Sequence, residues 1–302
     1  MLKKNKNHQG SLSTLLLLGF TWGCGYSLAR FAMTHHVSPL GYALWQSIGP
    51  GILLLLIDYL VQKRWPLPLK HWRFYAICGL IGIGIPNVNM FYSAQHLPAG
   101  ILSVVINTVP IFTVFLALFY KHMAYSKTHI AGALCAFLGI ILLNVSQYHF
   151  TWNHVSPWIL SSLATPLLFA LTAIYIEKNQ DIKTSPLSCA SGMMLAASLF
   201  LLPITLFTHS LYPLWSNPLT KTNLVIFLEI ILSSLGYVLF FRLIKTSGAI
   251  YYSLTGAVVA LTGLFWAKII LSETLSPPKM IACAVIILGI AIASLPQKNH
   301  IT

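Results

Sequence analysis

Long apolar runs joined by short polar stretches constrain this chain more than any motif in it. "GAIYYSLTGAVVALTGLFWAKI" and "PPKMIACAVIILGIAIASL" are two such runs, and the junction "ILSETLSPPK" (Ile270 to Lys279) holds one of only five carboxylates in 302 residues. Hydrophobic residues make up 57% of the chain and charged residues 8%, against roughly 25% charged in a soluble domain. A globule of this composition has too little charge to cover its surface. Helices of about 20 apolar residues, in contrast, satisfy their own backbone groups inside a bilayer. The expected fold class is an all-α polytopic membrane protein with ten transmembrane helices. The spans are read at 12–33, 40–62, 72–95, 97–119, 128–146, 156–176, 186–208, 223–244, 249–271 and 278–296. The joints near Leu97 and Gly248 are so short that their flanking spans must form tight antiparallel hairpins.

Charge placement sets the expected orientation. The net charge is +13, which on a soluble chain would suggest nucleic acid. With the N-terminus cytoplasmic, however, fourteen basic residues fall inside: Lys3, Lys4, Lys6, Lys63, Arg64, Lys70, Arg73, Lys121, Lys127, Lys178, Lys183, Arg242, Lys245 and Lys298. Four fall outside, namely Arg30, Lys221, Lys268 and Lys279. This is the positive-inside bias of a membrane protein, and no basic stripe with interleaved aromatics suggests nucleic-acid binding. The start "MLKKNKNHQGSLSTLLLLGF" has the basic opening of a signal peptide, but its apolar run is too long and lacks a small-residue cleavage site. An uncleaved first span is expected, with both termini cytoplasmic. Cys24, Cys78, Cys135, Cys189 and Cys283 lie in five separate spans without a C-x-x-C pair, so neither a disulfide framework nor a zinc site is expected.

The chain repeats itself. A shift of 150 places Phe91 on Phe241, Ala99 on Ala249, Ser103 on Ser253, Phe115 on Phe265, Ser126 on Ser276 and Gly139 on Gly289. A shift of 147 places Pro39 on Pro186. The junction "YKHMAYSKTH" (Tyr120 to His129) thereby becomes the counterpart of "ILSETLSPPK". Residues 1–150 and 151–302 form the two expected units. Five spans per unit is an odd number, so the second unit enters the membrane from the opposite side. An inverted repeat of this kind is a construction of secondary transporters, because two opposed halves can exchange conformations and expose one site to each side in turn.

The segment "GYVLFFRLIKTSGAIYYSLTGAVVALTGLFWAKIILSETLSPPKMIACAVIILGIAIAS" (Gly236 to Ser294) resembles the second repeat of EamA-type drug/metabolite transporters. "FTWGCGYSLARFAMTHHVSPLGYALWQ" (Phe20 to Gln46) is similar to the start of their first repeat. The resemblance covers nearly the whole chain and implies a solute cavity lined by the first, third, fourth, sixth, eighth and ninth spans. The chain departs from the family pattern at Gln46, where an Arg is frequent, and at Met123, where a junction Glu is frequent and only Glu273 is kept. It also carries Ala260 in place of a proline whose mate, Pro110, is present.

Several residues are candidates to line that cavity. Ser103, Asn107 and Pro110 share a helical face, and Pro110 cannot donate to the carbonyl of Ile106. An interhelical hydrogen bond without a ligand is the competing role. The third span, "GLIGIGIPNVNMFY" (Gly79 to Tyr92), has its regularity weakened by Gly79, Gly82, Gly84 and Pro86. Asn87 and Asn89 follow, Asn87 being the better site candidate, and a close-packed glycine face is the alternative. Trp22 and Tyr26 share a face of the first span at i, i+4. The resemblance puts Tyr175, Tyr237 and Tyr251 in cavity spans too, where aromatics stack on cationic or aromatic solutes; ordinary packing also accounts for them. Glu229 lies about two turns inside the eighth span, in line with Ser233, Gly236 and Phe240. A carboxylate at that depth costs a few kcal/mol unless paired or protonated. A structural pair with Lys268 or Arg30 and binding of solute or proton are both open for it.

No H-E-x-x-H, G-x-S-x-G or P-loop spacing occurs, so neither an enzyme nor an ATP-driven pump is expected, and no cofactor or metal. The leading reading is a secondary transporter, of the exporting kind, for a small polar or amphipathic, amino-acid-like metabolite across a bacterial inner membrane. The expected partners are a small-molecule solute and the lipid bilayer, with coupling to a proton or another ion and pairing into a homodimer both compatible with the sequence. The alternatives are an intramembrane enzyme, which would need a catalytic constellation, and a non-transporting membrane scaffold or sensor, which would not need an inverted repeat.

Overall fold

A computed structural model describes residues 2–63, 65, 67–96, 105–119, 127–145, 157–179, 184–215, 220–271 and 277–293. Twelve α-helices cover these residues: α1 Leu2–Thr34, α2 Pro39–Gln62, α3 Trp72–Gly79, α4 Ile85–His96, α5 Val109–Phe119, α6 Lys127–Val145, α7 Pro157–Ser162, α8 Ala164–Lys178, α9 Pro186–Phe207, α10 Lys221–Ser253, α11 Thr255–Leu271 and α12 Pro277–Ala293. No strand occurs among the described residues. Among the described residues six stretches are long and apolar enough to cross a membrane: Gly10–Thr34, Pro39–Gln62, Trp72–Ser93, Leu160–Lys178, Pro186–Phe207 and Lys221–Ser253. Shorter apolar helices cover Ile130–Leu142 and Met280–Ile292. The outer surface is apolar, with Val61 and Leu199 each 72% exposed and Phe207 86% exposed. That exposure is unfavourable in water and costs nothing against lipid tails. Of the two matched junctions, residues 120–126 with Met123 and 272–276 with Glu273 lie outside the described residues.

Local sequence explains most helix ends. Ser38 and Ser185 each precede a proline and cap in the same way, accepting from the N–H of Gly41 at 3.0 Å and of Ser188 at 3.0 Å. Proline fits the first helical position because that N–H has no partner in any case. Between α3 and α4 a π turn spans Leu80–Gly84, where the glycines cluster. The helix breaks again at Asn107–Thr108 and restarts as α5 one residue before Pro110. Gly248, with φ 82° and ψ 170°, interrupts α10, at the joint expected from the sequence. A further break falls at Leu163, three residues before Pro166, which cannot donate to the carbonyl of Ser162.

Helix packing is reciprocal. Helices α2 and α9 run antiparallel: a Cβ on Gly41 would meet Ser210 O, one on Gly51 would meet Leu195, and Asp58 accepts from Ser188 at 2.5 Å. Helices α6 and α12 are likewise antiparallel. A Cβ on Gly139 would lie 2.6 Å from Ile286 Cγ1, and one on Gly289 would lie 2.4 Å from Ala136 N. Positions 136 and 286, like 139 and 289, are mates under the 150-residue shift. Cys135 Sγ approaches Val285 O at 3.8 Å, and these two are also mates. The remaining helices exchange partners, α1 packing on α10 and α11 while α8 packs on α4 and α5.

Candidate functional site

The π turn and the break at Asn107–Thr108 border one cavity, which together with the open space at its mouth measures about 1020 Å³. Helix α1 contributes Trp22 and Gly25, α2 Gln46, the π turn Gly82, and α4 Asn87. Asn107 comes from the break before α5, and Phe169 and Thr172 from α8. Helix α10 supplies Glu229, Ser233, Tyr237 and Phe240 along one face, then Tyr252; Thr255 and Gly256 open α11.

A chain of hydrogen bonds crosses the cavity wall. Asn87 Nδ2 donates to Gln46 Oε1 at 3.1 Å, and Gln46 Nε2 donates to Glu229 Oε1 at 2.8 Å. Ser233 Oγ, one turn along α10, donates to the same carboxylate oxygen at 2.8 Å. Glu229 is 4% exposed, and its Oε2 is buried with no hydrogen-bond partner. Among the described lining residues Glu229 is the one charged group. Gly25 faces it, and a Cβ there would come 3.2 Å from Oε2.

Aromatic rings form the adjoining wall. Trp22 meets Tyr237 edge-on at 5.5 Å between centroids and Tyr252 at 6.4 Å, and Phe240 meets Tyr252 at 4.9 Å. Gly236 admits the indole, since a Cβ there would sit 2.4 Å from Trp22 Nε1. At Leu254 the helical ladder tightens: its N–H bonds Tyr251 O at 3.2 Å, while the N–H groups of Ala257 and Val258 both turn to Leu254 O. Helix α11 thus has a new N-terminus at Thr255, whose hydroxyl is buried and unpartnered.

Of the residues singled out from sequence, Trp22, Asn87, Asn107, Glu229 and Tyr237 line the cavity. Ser103 lies outside the described residues, as do the side chains of Tyr26, Arg30 and Lys268. Tyr175 is not a lining residue and stacks on Phe74 at 5.8 Å. Asn89 turns away, donating to Ser161 O at 2.8 Å and to Thr165 Oγ1 at 3.0 Å. Tyr251 is core and its neighbour Tyr252 lines the cavity. Sequence reasoning noted Gln46 as a departure from a family pattern and did not place it in the site. An amide inside the apolar run "YALWQSIGP" was the available signal. No group of three His, Cys, Asp or Glu able to hold a metal occurs among the described residues.

Comparison with known proteins matches the model of the EamA-like transporter family to residues 10–145 and again to 156–295. The inner membrane transporter YedA of Escherichia coli is 28% identical, covering 93% of this chain and 89% of its own. Protein PecM of Dickeya dadantii is 25% identical over 86% of this chain and 84% of its own. A probable terminal-alkyne amino-acid exporter of Streptantibioticus cattleyicolor is 24% identical over 74% and 73%. A solved crystal structure superposes with a TM-score of 0.71 at 19% identity, covering 93% of this chain and 96% of that one.

Proposed function

Because the chain belongs to the EamA-like transporter family, we propose that it is a secondary transporter exporting a small, amino-acid-like metabolite by alternating access through the central cavity. The observation that carries this reading is the composition of the cavity wall. Repeat-related helices enclose a site that combines one carboxylate, three amide side chains and six aromatic side chains, as a small amphipathic solute requires. The fresh helix start at Thr255, with its unpartnered hydroxyl, suits a solute carboxylate, because helix N-termini carry partial positive charge. The proposed solute-binding set is Trp22, Asn87, Asn107, Glu229 and Tyr237, to which the cavity adds Gln46; Tyr26 and Ser103 are proposed with them on the sequence alone, and Tyr175 is left out.

Alternating access rests on the repeat. The family model matches twice, repeat mates such as α6 and α12 run antiparallel, and their contacts are reciprocal. These features support ten spans in two inverted units, 1–150 and 151–302. The distribution of basic residues supports a bacterial inner-membrane location with both termini cytoplasmic.

Metabolite profiling of cells with and without the protein tests the reading. One or a few amino-acid-like solutes should rise in the medium and fall inside when the protein is present. Profiles that do not respond to expression of correctly inserted protein would overturn it.

A further inference from the structure

We propose that Glu229 Oε2 is the docking point for a protonated amine, so that the transported solute is an amphipathic ammonium compound. This rests on the transport reading and narrows its substrate class. The carboxylate is used unevenly. Oε1 accepts from both Gln46 and Ser233 at 2.8 Å, while Oε2 of this cavity-lining residue is buried and unpartnered. A carboxylate kept for structure has donors for both oxygens, because an unpaired buried acceptor is costly.

The donors also set the carboxylate's orientation. Asn87 Nδ2 donates to Gln46 Oε1 at 3.1 Å, which turns the Gln46 N–H group toward Glu229. The chain of amides therefore holds Oε1 and leaves Oε2 for a mobile partner. Gly25 leaves room at the carboxylate, since a Cβ there would come within 3.2 Å of Oε2 and 3.3 Å of Oε1.

Charge and surroundings select the partner. Glu229 is the one charged side chain among the described residues that line the cavity, and its sign favours a cationic partner. Trp22, Tyr237, Phe240 and Tyr252 line the same space, and aromatic faces attract ammonium groups and the apolar carbons attached to them. A free carboxylate oxygen beside an aromatic wall is a receptor for R–NH₃⁺ with an apolar R.

Three probes that share a phenethyl group separate this from other roles: phenethylamine (cation at pH 7), N-acetylphenethylamine (neutral) and 3-phenylpropionate (anion). Binding to the purified protein in detergent is measured calorimetrically, so the result does not depend on transport. Phenethylamine should bind at least about tenfold more tightly than either analogue, as a charge-assisted hydrogen bond implies. Glu229→Gln should erase that preference. Gly25→Ala, which leaves the carboxylate in place and crowds Oε2, should weaken phenethylamine by several-fold and the neutral analogue little. The unmodified protein alone decides the matter if a variant misfolds: equal binding of amine and acetylated amine, or no binding of the amine, overturns the proposal. Survival of the amine preference in folded Glu229→Gln also overturns it, as does a Glu229→Gln effect confined to the pH dependence of flux, which would make the proton the partner. Saturable flux of solutes lacking an amine would sink this inference and leave the transport reading standing.

Discussion

Gln46 serves two buried groups at once, accepting from Asn87 and donating to Glu229. Gln46→Leu removes both bonds and leaves a buried carboxylate and a buried amide short of partners. Polar contacts in membrane bundles average about 0.6 kcal/mol each, and unsatisfied groups cost more. The expected loss is about 1–2 kcal/mol, read as a lower unfolding temperature in detergent together with a raised solute KM. Asn107→Ala tests a different wall. It should lower flux at least about tenfold, the scale of one lost hydrogen bond to a solute, while insertion and unfolding temperature stay near normal. Normal flux and normal affinity would return Asn107 to packing. At this scale the site was partly legible: Glu229, Asn87, Asn107, Trp22 and Tyr237 stand out as polar or aromatic residues inside apolar runs. Tyr175 stands out equally and yet packs on Phe74, because assigning a span to the cavity does not fix which face of the helix turns inward.

Helix ends were legible where the local chemistry is explicit. The Ser-Pro starts of α2 and α9 and the glycine cluster at the π turn mark their own positions, and so does Gly248. The break at Leu254 has no proline or glycine at that residue to announce it, and tertiary packing makes it. Element contacts yield a graded prediction. Gly139→Ala puts a methyl 2.6 Å from a flexible Ile286 side-chain carbon, although Ile286 N is also near at 2.8 Å. Gly289→Ala puts it 2.4 Å and 2.7 Å from Ala136 N and Cα, backbone atoms that no rotamer change can move. Both should destabilise by about 1–3 kcal/mol, the range for overpacking, with Gly289→Ala the worse in thermal unfolding. Gly248→Ala should also destabilise. Its φ of 82° is strained for a Cβ-bearing residue, and the added methyl would lie 2.9 Å from Glu177 Oε1, whose partner oxygen accepts the Ala249 N–H at 2.7 Å.

At the scale of the whole molecule, composition points to the all-helical, membrane-spanning class that the described residues show, and the 150-residue shift proposes a repeat. They did not reveal which repeat mates touch, since that depends on small residues at crossing points. The antiparallel pairs α2 with α9 and α6 with α12 make a topological prediction. Reporter fusions at Lys298 and after Lys221 should report opposite sides of the membrane; the same side for both would break the ten-span arrangement. Alternating access has its most direct test in counterflow. Proteoliposomes holding the purified protein are loaded with an excess of unlabelled solute identified by metabolite profiling, then diluted into a trace of the labelled form. A site exposed to one side at a time predicts a transient accumulation of label above its equilibrium level, driven by exchange. Label that rises to equilibrium without an overshoot, or that does not enter at all, would contradict the account.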